Sequence, residues 1–368
     1  MAAATLTKSA EAGMRLQLAL FFSDKAADAG GGRQKRPAAW SGLSNTQLIA
    51  QVRNYALETA AYFKERGLNL DVVEIGNETD FGFCGYRLGE TISVPAGVDP
   101  VNDPQWMHDN VWSLCSPLYQ AAIEGIKSVF PDCATALHIA GFTYSRQDIV
   151  AHSFFSAMKS DGVTYDIAGL SYPYPSTGAR LIPQPYFEQE SFLGALDKIR
   201  ALGKRVQILE FSYPASTAGI EVSQAVFGCT PAAQARFVEA IARAVAGRVE
   251  QISYWAADVF PGINGVGGLP QDVESFGLFA SALEARQALT SWRRVAADRL
   301  MNWAEIKYAD LFPGSALSAT EGPYYYRYYP ASDTYLGIDE RSGSVLVHNG
   351  RSFNMAVIGP LATVLRMM

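Results

Sequence analysis

Short apolar runs alternate with longer amphipathic segments along most of this chain, and that alternation constrains the fold more than any other feature. A short apolar run followed by a loop and a helical pattern is typical of βα units, which build a parallel sheet. The runs lie at residues 14–22, 70–76, 134–141, 165–172, 205–212 and 250–256. Helical patterns lie at 45–66, 110–128, 146–159, 188–202, 230–247 and 280–296. The sequence therefore predicts an α/β fold of about six βα units.

The loops after the predicted strands are long, and α/β barrels place their functional residues there. A (β/α)8 barrel of the TIM type needs eight strands, two more than these runs supply. Residues 5–13 resemble the end of a helix that leads straight into the first strand. We therefore expect an incomplete (β/α)8 barrel over residues 1–297, without its first two strands.

The composition changes near residue 298. The segment from 323 to 350 is rich in tyrosine, alternates with period two and contains turn signals at Ser-Asp and Ser-Gly. We expect residues 298–368 to form a separate small α+β module.

The charge balance excludes several partners. The formal net charge is −6, whereas binding to nucleic acid or to an anionic membrane needs a basic face. No stretch approaches the roughly 18 consecutive apolar residues of a spanning helix, and we identify no signal peptide at the start. A neutral substrate fits this composition best.

The residues that bind metals are dispersed. Cys84, Cys115, Cys133 and Cys229 show no C-x-x-C spacing, and His108, His152 and His348 are scattered as well. An even number of cysteines allows disulfides without requiring them, and buried thiols explain them equally well. The glycine-rich stretch 262–268 opens no clear helix, which argues against a phosphate site. We expect neither a metal nor an organic cofactor.

Two of the predicted strands finish at a glutamate, Glu78 in EIGNE and Glu210 in QILEFSYP. Because parallel strands end at one edge of a sheet, the two carboxylates can face a single cleft. Paired carboxylates suit glycoside hydrolysis, in which one acid protonates the leaving oxygen and the other, ionised, attacks the sugar. The alternative is that both are ion-paired or solvated loop acids.

Neighbouring polar and aromatic residues favour a sugar cleft. Asn77 beside Glu78 can hold a sugar hydroxyl; Asn77-Glu78-Thr79 also matches a glycosylation acceptor, which we reject at a strand end facing a cleft. Tyr172, Tyr174, Tyr213 and Trp255 lie at the same strand ends, where flat rings can pack against sugars, although core packing explains each one singly. His138 on its apolar strand is either a core histidine or a substrate ligand.

Several motifs, in order over residues 13–292, resemble glycoside hydrolase family 53, the arabinogalactan endo-β-1,4-galactanases, within the clan of retaining (β/α)8 glycosidases. They are LALFFSDKAADAGGGRQKRPAAW, DVVEIGNETDFGF, YDIAGLSYPYP, QILEFSYP and ISYWAADVFPG, which resemble the third, fourth, sixth, seventh and eighth strands. The resemblance implies that Glu78 is the general acid/base and Glu210 the nucleophile. It also implies substrate contacts by Asn77 and Asp24 and a sugar platform at Trp255.

Some positions depart from the family pattern. Ala19-Leu20-Phe21-Phe22 replaces the family's Asp-Phe-His-Tyr, so a histidine near the glycone subsite is missing, and a tryptophan that follows the next Ser-Asp is also absent. Trp255-Ala256-Ala257 replaces Trp-Glu-Pro. Two strands that precede the matching segment in the family are absent, which leaves open a truncated start or an opened barrel.

These features predict a retaining endo-hydrolase of a β-linked polysaccharide, with β-1,4-galactan as the preferred substrate. The competing hypothesis is a carbohydrate-binding barrel remnant with impaired catalysis. A barrel enzyme for phosphorylated metabolites lacks a basic phosphate site. The resemblance further implies an extracellular or periplasmic protein, and we expect a monomer.

Overall fold

The structure is a computed structural model. It describes residues 2–24, 35–89, 91–100, 102–140, 147–172, 190–217, 225, 227–259, 273–281, 284–289 and 291, together with the five strands of a C-terminal sheet between residues 304 and 360.

A six-stranded sheet, parallel throughout, forms the centre of the first part of the chain. Each predicted apolar run contributes one of its strands, which confirms the parallel sheet and the incomplete (β/α)8 class. In spatial order the strands are β1 (Gln17–Leu20), β2 (Val72–Ile75), β5 (Ala134–Ile139), β6 (Ile167–Ser171), β7 (Arg205–Phe211) and β8 (Gln251–Tyr254).

The strands are apolar because both faces of the sheet are covered. Every residue of β2, β5 and β6 is buried, as expected for parallel strands between a barrel interior and a helical layer. The sheet also curls, since the side chains of its two outermost strands meet: Gln251 Nε2 donates to Gln17 Oε1 over 2.9 Å.

A short hairpin lies in the loop after β2. It consists of β3 (Gly82–Phe83) and β4 (Tyr86–Arg87).

Helices occupy most of the segments where the period of the apolar residues predicts them. A capping box at Ser44 and Gln47 begins the second helix, and Gly67, at a φ of 71°, follows its end. The helices are α1 (Ala2–Glu11), α2 (Asn45–Lys64), α3 (Pro104–Met107), α4 (Ser113–Val129), α5 (Gln147–Ser160), α6 (Glu190–Ala201) and α7 (Pro231–Ala244). A π-helical turn, His108–Trp112, joins α3 to α4.

The helix predicted at 280–296 begins later than expected. Strands β9 (Phe279–Ser281) and β10 (Glu284–Ala285) form an antiparallel ladder there, and only 287–289 and 291 are helical among the described residues. The N–H of Leu278 donates to the carbonyl of Ala257, and the N–H of Arg286 donates to the carbonyl of Leu278. The backbone N–H groups here thus bond to distant or extended segments and not to the preceding turn of a helix.

The chain divides into two compact units. The first comprises residues 1–213, 218–226 and 243–256, and the second comprises 214–217, 227–242 and 257–368. The predicted domain boundary between 297 and 298 stays a prediction, because 292–303 lie outside the described residues.

The second unit contains a five-stranded antiparallel sheet with its strands in chain order. Three of its strands lie within the segment 323–350, where the sequence alternates with period two. The strands are β11 (Ala304–Glu305), β12 (Tyr325–Tyr329), β13 (Thr334–Ile338), β14 (Ser344–Asn349) and β15 (Ser352–Pro360). Among the helices described in either unit, none has the length and apolar character needed to cross a bilayer.

Candidate active site

The two candidate acids lie at the carboxyl edge of the parallel sheet. Glu210 is the last residue but one of β7, and Glu78 is the third residue after β2. Two strands, β5 and β6, separate β2 from β7 in the sheet. Both glutamates are partly exposed, so the edge that carries them is open to solvent.

Glu78 occupies a strained turn. Its φ is 51°, in the left-handed region that few residues other than glycine adopt, and Gly76 two residues earlier has a φ of 80°. Left-handed backbone at a non-glycine residue costs about 1–3 kcal/mol and is concentrated at functional sites. The turn therefore departs from the strand direction at the candidate acid itself.

Four hydrogen bonds hold the residues after Glu78 in place. The backbone N–H and the hydroxyl of Thr79 both donate to the carbonyl of His138, at 2.8 and 3.1 Å. The N–H of Ala140 donates to Oδ1 of Asp80 over 3.2 Å, and Trp112 Nε1 donates to the Asp80 carbonyl over 2.8 Å. The turn is thereby fastened to the carboxyl end of β5, which restricts where Glu78 can lie.

A β-bulge in β7 decides which face Glu210 occupies. Leu170 pairs with Ile208, but the next residue, Ser171, pairs with Glu210, so Leu209 is the extra residue. Regular alternation would place Glu210 on the same face as Ile208. The bulge instead places it in register with Ser171, whose hydroxyl contacts His138 inside the sheet. Glu210 therefore shares the interior face with these two residues.

A buried polar chain runs across this interior face. Gln17 Nε2 donates to Glu74 Oε1 over 2.6 Å, and Glu74 Oε2 lies 3.2 Å from His138 Nδ1. The other ring nitrogen of His138, Nε2, lies 2.9 Å from the hydroxyl of Ser171. His138 is fully buried and Glu74 is 8% exposed, so this ion pair is shielded from water.

The acids around His138 raise its pKa. Burial alone would lower the pKa, but the hydrogen bond and charge of Glu74, together with the charges of Glu210 and Asp80, outweigh it. His138 is thus an interior histidine paired with Glu74, and its role as a sugar ligand stays a prediction.

The other predicted site residues differ in how far they are exposed. Tyr172 is 1% exposed; its N–H binds the Glu210 carbonyl over 2.7 Å and its ring lies edge-on to Phe192. Trp255 and Asn77 are partly exposed, and the N–H of Trp255 binds the carbonyl of Phe211 over 2.8 Å. Asp24 is exposed and its carboxylate accepts the N–H of Ala38, whereas Tyr174 lies outside the described residues.

Trp255 also has an unusual backbone beside it. The next residue, Ala256, has a φ of 59°, a second left-handed non-glycine residue at this edge of the sheet. The strained turns at Glu78 and Ala256 thus follow the strands that carry the candidate acid and the candidate platform.

Sequence reasoning did not single out Glu74, Gln17, Ser171 or Gln251. The one signal available was a carboxylate in the middle of the apolar run LDVVEIG, because a buried charge needs a partner. That signal indicates that Glu74 is paired but does not indicate with which residue.

The cysteines are all thiols in the structure. Burial raises the pKa of Cys84 and Cys115 to about 12 and that of Cys133 to about 11, which makes them poor nucleophiles. Within the described ranges, no cluster of three or more histidine, cysteine or acidic side chains has a geometry that could hold a metal.

A comparison with known protein families assigns the chain to one of them. The family model described as "Glycosyl hydrolase family 53" matches residues 1–292. The chain belongs to this family. The arabinogalactan endo-beta-1,4-galactanase A of Aspergillus niger is 25% identical over 256 residues, 66% of this chain and 65% of the relative. A relative from Aspergillus fumigatus, named "Probable arabinogalactan endo-beta-1,4-galactanase A", is 29% identical over 212 residues, 55% of this chain. The chain spans about half, 51%, of the length of the latter.

Solved structures support the fold of this family 53 member. A GH53 catalytic domain of Ignisphaera aggregans superposes with a TM-score of 0.62 at 22% identity, covering 80% of this chain and 77% of that one. A fungal beta-1,4-galactanase gives a TM-score of 0.60 at 21% identity, covering 79% and 81% of the two chains. At these identities the likeness establishes the barrel fold.

Proposed function

We propose that this family 53 protein is a retaining endo-glycosidase that cleaves β-1,4-galactosidic bonds in galactan or arabinogalactan. One observation carries the proposal: Glu78 and Glu210 lie at the same edge of one parallel sheet, with Glu210 turned to the interior face by the β7 bulge. The galactanases among its relatives supply the substrate class.

In the proposed reaction Glu78 donates a proton to the departing glycosidic oxygen while Glu210 attacks the anomeric carbon. The glycosyl-enzyme that forms is then hydrolysed by a water from which Glu78 removes a proton. Retention requires the two carboxyl groups to lie about 5–5.5 Å apart across the bond. The four hydrogen bonds at Thr79 and Asp80 suit this requirement, since an acid in a fixed turn keeps its distance to the bond.

The surrounding residues have separate roles in this proposal. Asn77 binds a hydroxyl of the sugar that is attacked, and the exposed part of Trp255 packs against a sugar ring. Tyr172 and His138 are buried, so they act from behind Glu210 and not as a sugar surface. Because a polysaccharide cannot enter the cell, we propose that the protein works outside the cytoplasm.

The release of new reducing ends from purified β-1,4-galactan tests this function. Glu78→Gln and Glu210→Gln should each reduce turnover by several orders of magnitude while leaving the fold intact, because each removes one acid–base or nucleophilic role. Glu124→Gln, which removes an exposed carboxylate on α4, is the matched control and should keep full activity.

The anomer first formed distinguishes the stereochemistry. Proton NMR during early hydrolysis should show β-configured reducing ends, and α-configured ends would contradict retention. If the wild-type protein binds galactan but does not cleave it, the result would contradict the hydrolase function and favour a carbohydrate-binding remnant.

A further inference from the structure

One buried histidine, His138, lies on the interior face of the sheet and is influenced by three acids. Glu74 from β2 lies 3.2 Å from the ring, and the charges of Glu210 from β7 and Asp80 from the loop after β2 also act on it. Because electrostatic interactions are mutual, the charge state of His138 also affects these acids.

The groups beside the two ring nitrogens suit a positively charged ring. Glu74 Oε2 lies 3.2 Å from Nδ1 in an ion-pair contact, and the hydroxyl of Ser171, 2.9 Å from Nε2, can accept a hydrogen bond from the ring. Gln17 Nε2 donates to the other oxygen of Glu74 over 2.6 Å, which fixes the position of this carboxyl group. A carboxyl group beside Nδ1 and a hydroxyl that can accept beside Nε2 together favour the imidazolium form of the ring.

The register of the strands brings this imidazolium to Glu210. Ser171, which binds the ring, lies directly opposite Glu210 in the β6–β7 ladder. A positive charge on the buried ring stabilises the ionised form of a carboxyl group in this position. The interaction is reciprocal, and the charge of Glu210 accordingly raises the pKa of His138.

We propose that Glu74 keeps a proton on His138 and that the resulting imidazolium holds Glu210 in its ionised form. The inference rests on the proposed function, since an ionised Glu210 is what attack on the anomeric carbon requires. His138 and Glu74 are then positioning residues, because they are buried and act on the sugar only through Glu210.

Titration of the histidine rings by NMR tests the charge coupling without any substrate. The chain has four histidines, and His138→Gln assigns the signal that belongs to His138. Glu74→Gln and Glu210→Gln should each move the titration of His138 to lower pH, because each removes a negative charge beside the ring. Asp71→Asn removes a carboxylate at the opposite end of β2 and should leave the titration in place.

The result that overturns the coupling is a His138 titration that Glu210→Gln leaves unmoved. This test remains valid even if Glu74→Gln fails to fold, because Glu210→Gln leaves the Glu74–His138 pair intact.

The pH profile of kcat/KM on galactan tests the consequence for catalysis. Glu74→Gln and His138→Gln should both shift the acid limb to higher pH, and the double variant should shift it no further than either single variant. A uniform fall in kcat/KM at every pH would assign the pair a purely structural role and overturn the proposal. If the unchanged chain cleaves nothing, the proposed function fails, and the NMR titration alone decides the coupling.

Discussion

Gly76→Ala tests whether the turn that carries Glu78 is as tightly constrained as its contacts indicate. Gly76 has a φ of 80°, and a Cβ there would lie 2.5 Å from Cγ2 of Thr79 and 3.1 Å from the ring of Phe83. Thr79 cannot turn away, because it is 1% exposed and its hydroxyl donates to the His138 carbonyl.

Two costs contribute to the expected loss of stability. Left-handed backbone costs alanine about 1–2 kcal/mol. Crowding in a closely packed site costs about 1–3 kcal/mol more, so we expect a loss of about 2–5 kcal/mol in the free energy of unfolding. Because Thr79 follows Glu78 directly, a shift of Thr79 displaces the acid, and kcat/KM should fall about 100-fold.

Gly67→Ala is the matched control for this substitution. Gly67 has a φ of 71°, but a Cβ at that position meets nothing within 4 Å. It should therefore lose only the backbone contribution, about 1–2 kcal/mol, and keep full activity. Urea unfolding and galactan hydrolysis of both variants give the comparison. Equal destabilisation of the two variants, or full activity in Gly76→Ala, would refute the constraint on the turn.

Three further predictions address packing, pH dependence and the sugar platform. Gly125→Ala should destabilise by about 1–3 kcal/mol in urea unfolding, because a Cβ would lie 2.4 Å from a backbone carbonyl of α2. Gly194→Ala, in open space on α6, should instead stabilise by about 0.5–1 kcal/mol, and a stabilised Gly125→Ala would contradict the close packing. Burial opposes ionisation of Asp166, yet hydrogen bonds from Thr135 and the charge of Lys127 lower its pKa. Ionised Asp166 should therefore stabilise the fold at pH values above the ordinary pKa of a carboxyl group, and this stabilisation should be lost as the pH falls through the lowered pKa. The urea midpoints of wild type and Asp166→Asn should then converge in acid. A constant difference between the two midpoints would contradict this. Trp255→Ala should raise KM for galactan more than it lowers kcat, and an unchanged KM would remove Trp255 from the sugar surface.

The strands were predictable because their burial leaves a direct trace in the sequence. A parallel strand covered on both faces is a continuous apolar run, and LDVVEIG and ATALHIAG contain β2 and β5 as expected. Glu78 and Glu210 could be found for the same reason, since each ends such a run.

The orientation of Glu210 could not be predicted from its own segment. The alternation in QILEF places Glu210 on the face opposite Leu209 and Phe211, and no glycine or proline signals the bulge. Only the pairing of Ser171 with Glu210 reveals that one residue is skipped. The bulge depends on contacts with β6 and β8, which are set by the whole sheet.

The Glu74–His138 pair required the register of the sheet as well. Glu74 lies opposite Ala136, and His138 is two residues further along β5, so the partners meet diagonally across neighbouring strands. About sixty residues separate Glu74 from His138 in the chain, so no local sequence pattern indicates that the two residues pair. Sequence could indicate that each needed a partner, whereas the fold identifies the partner.

The most direct test of the account is to trap the covalent intermediate. A galactobiosyl fluoride carrying fluorine at C2 of the reacting sugar slows hydrolysis of a glycosyl-enzyme, so the label accumulates on the nucleophile. Mass spectrometry of the digested protein should locate the label on Glu210, and Glu210→Gln should abolish labelling. A label on another carboxylate, or cleavage of galactan with no trapped intermediate, would contradict the assignment of Glu210 as nucleophile.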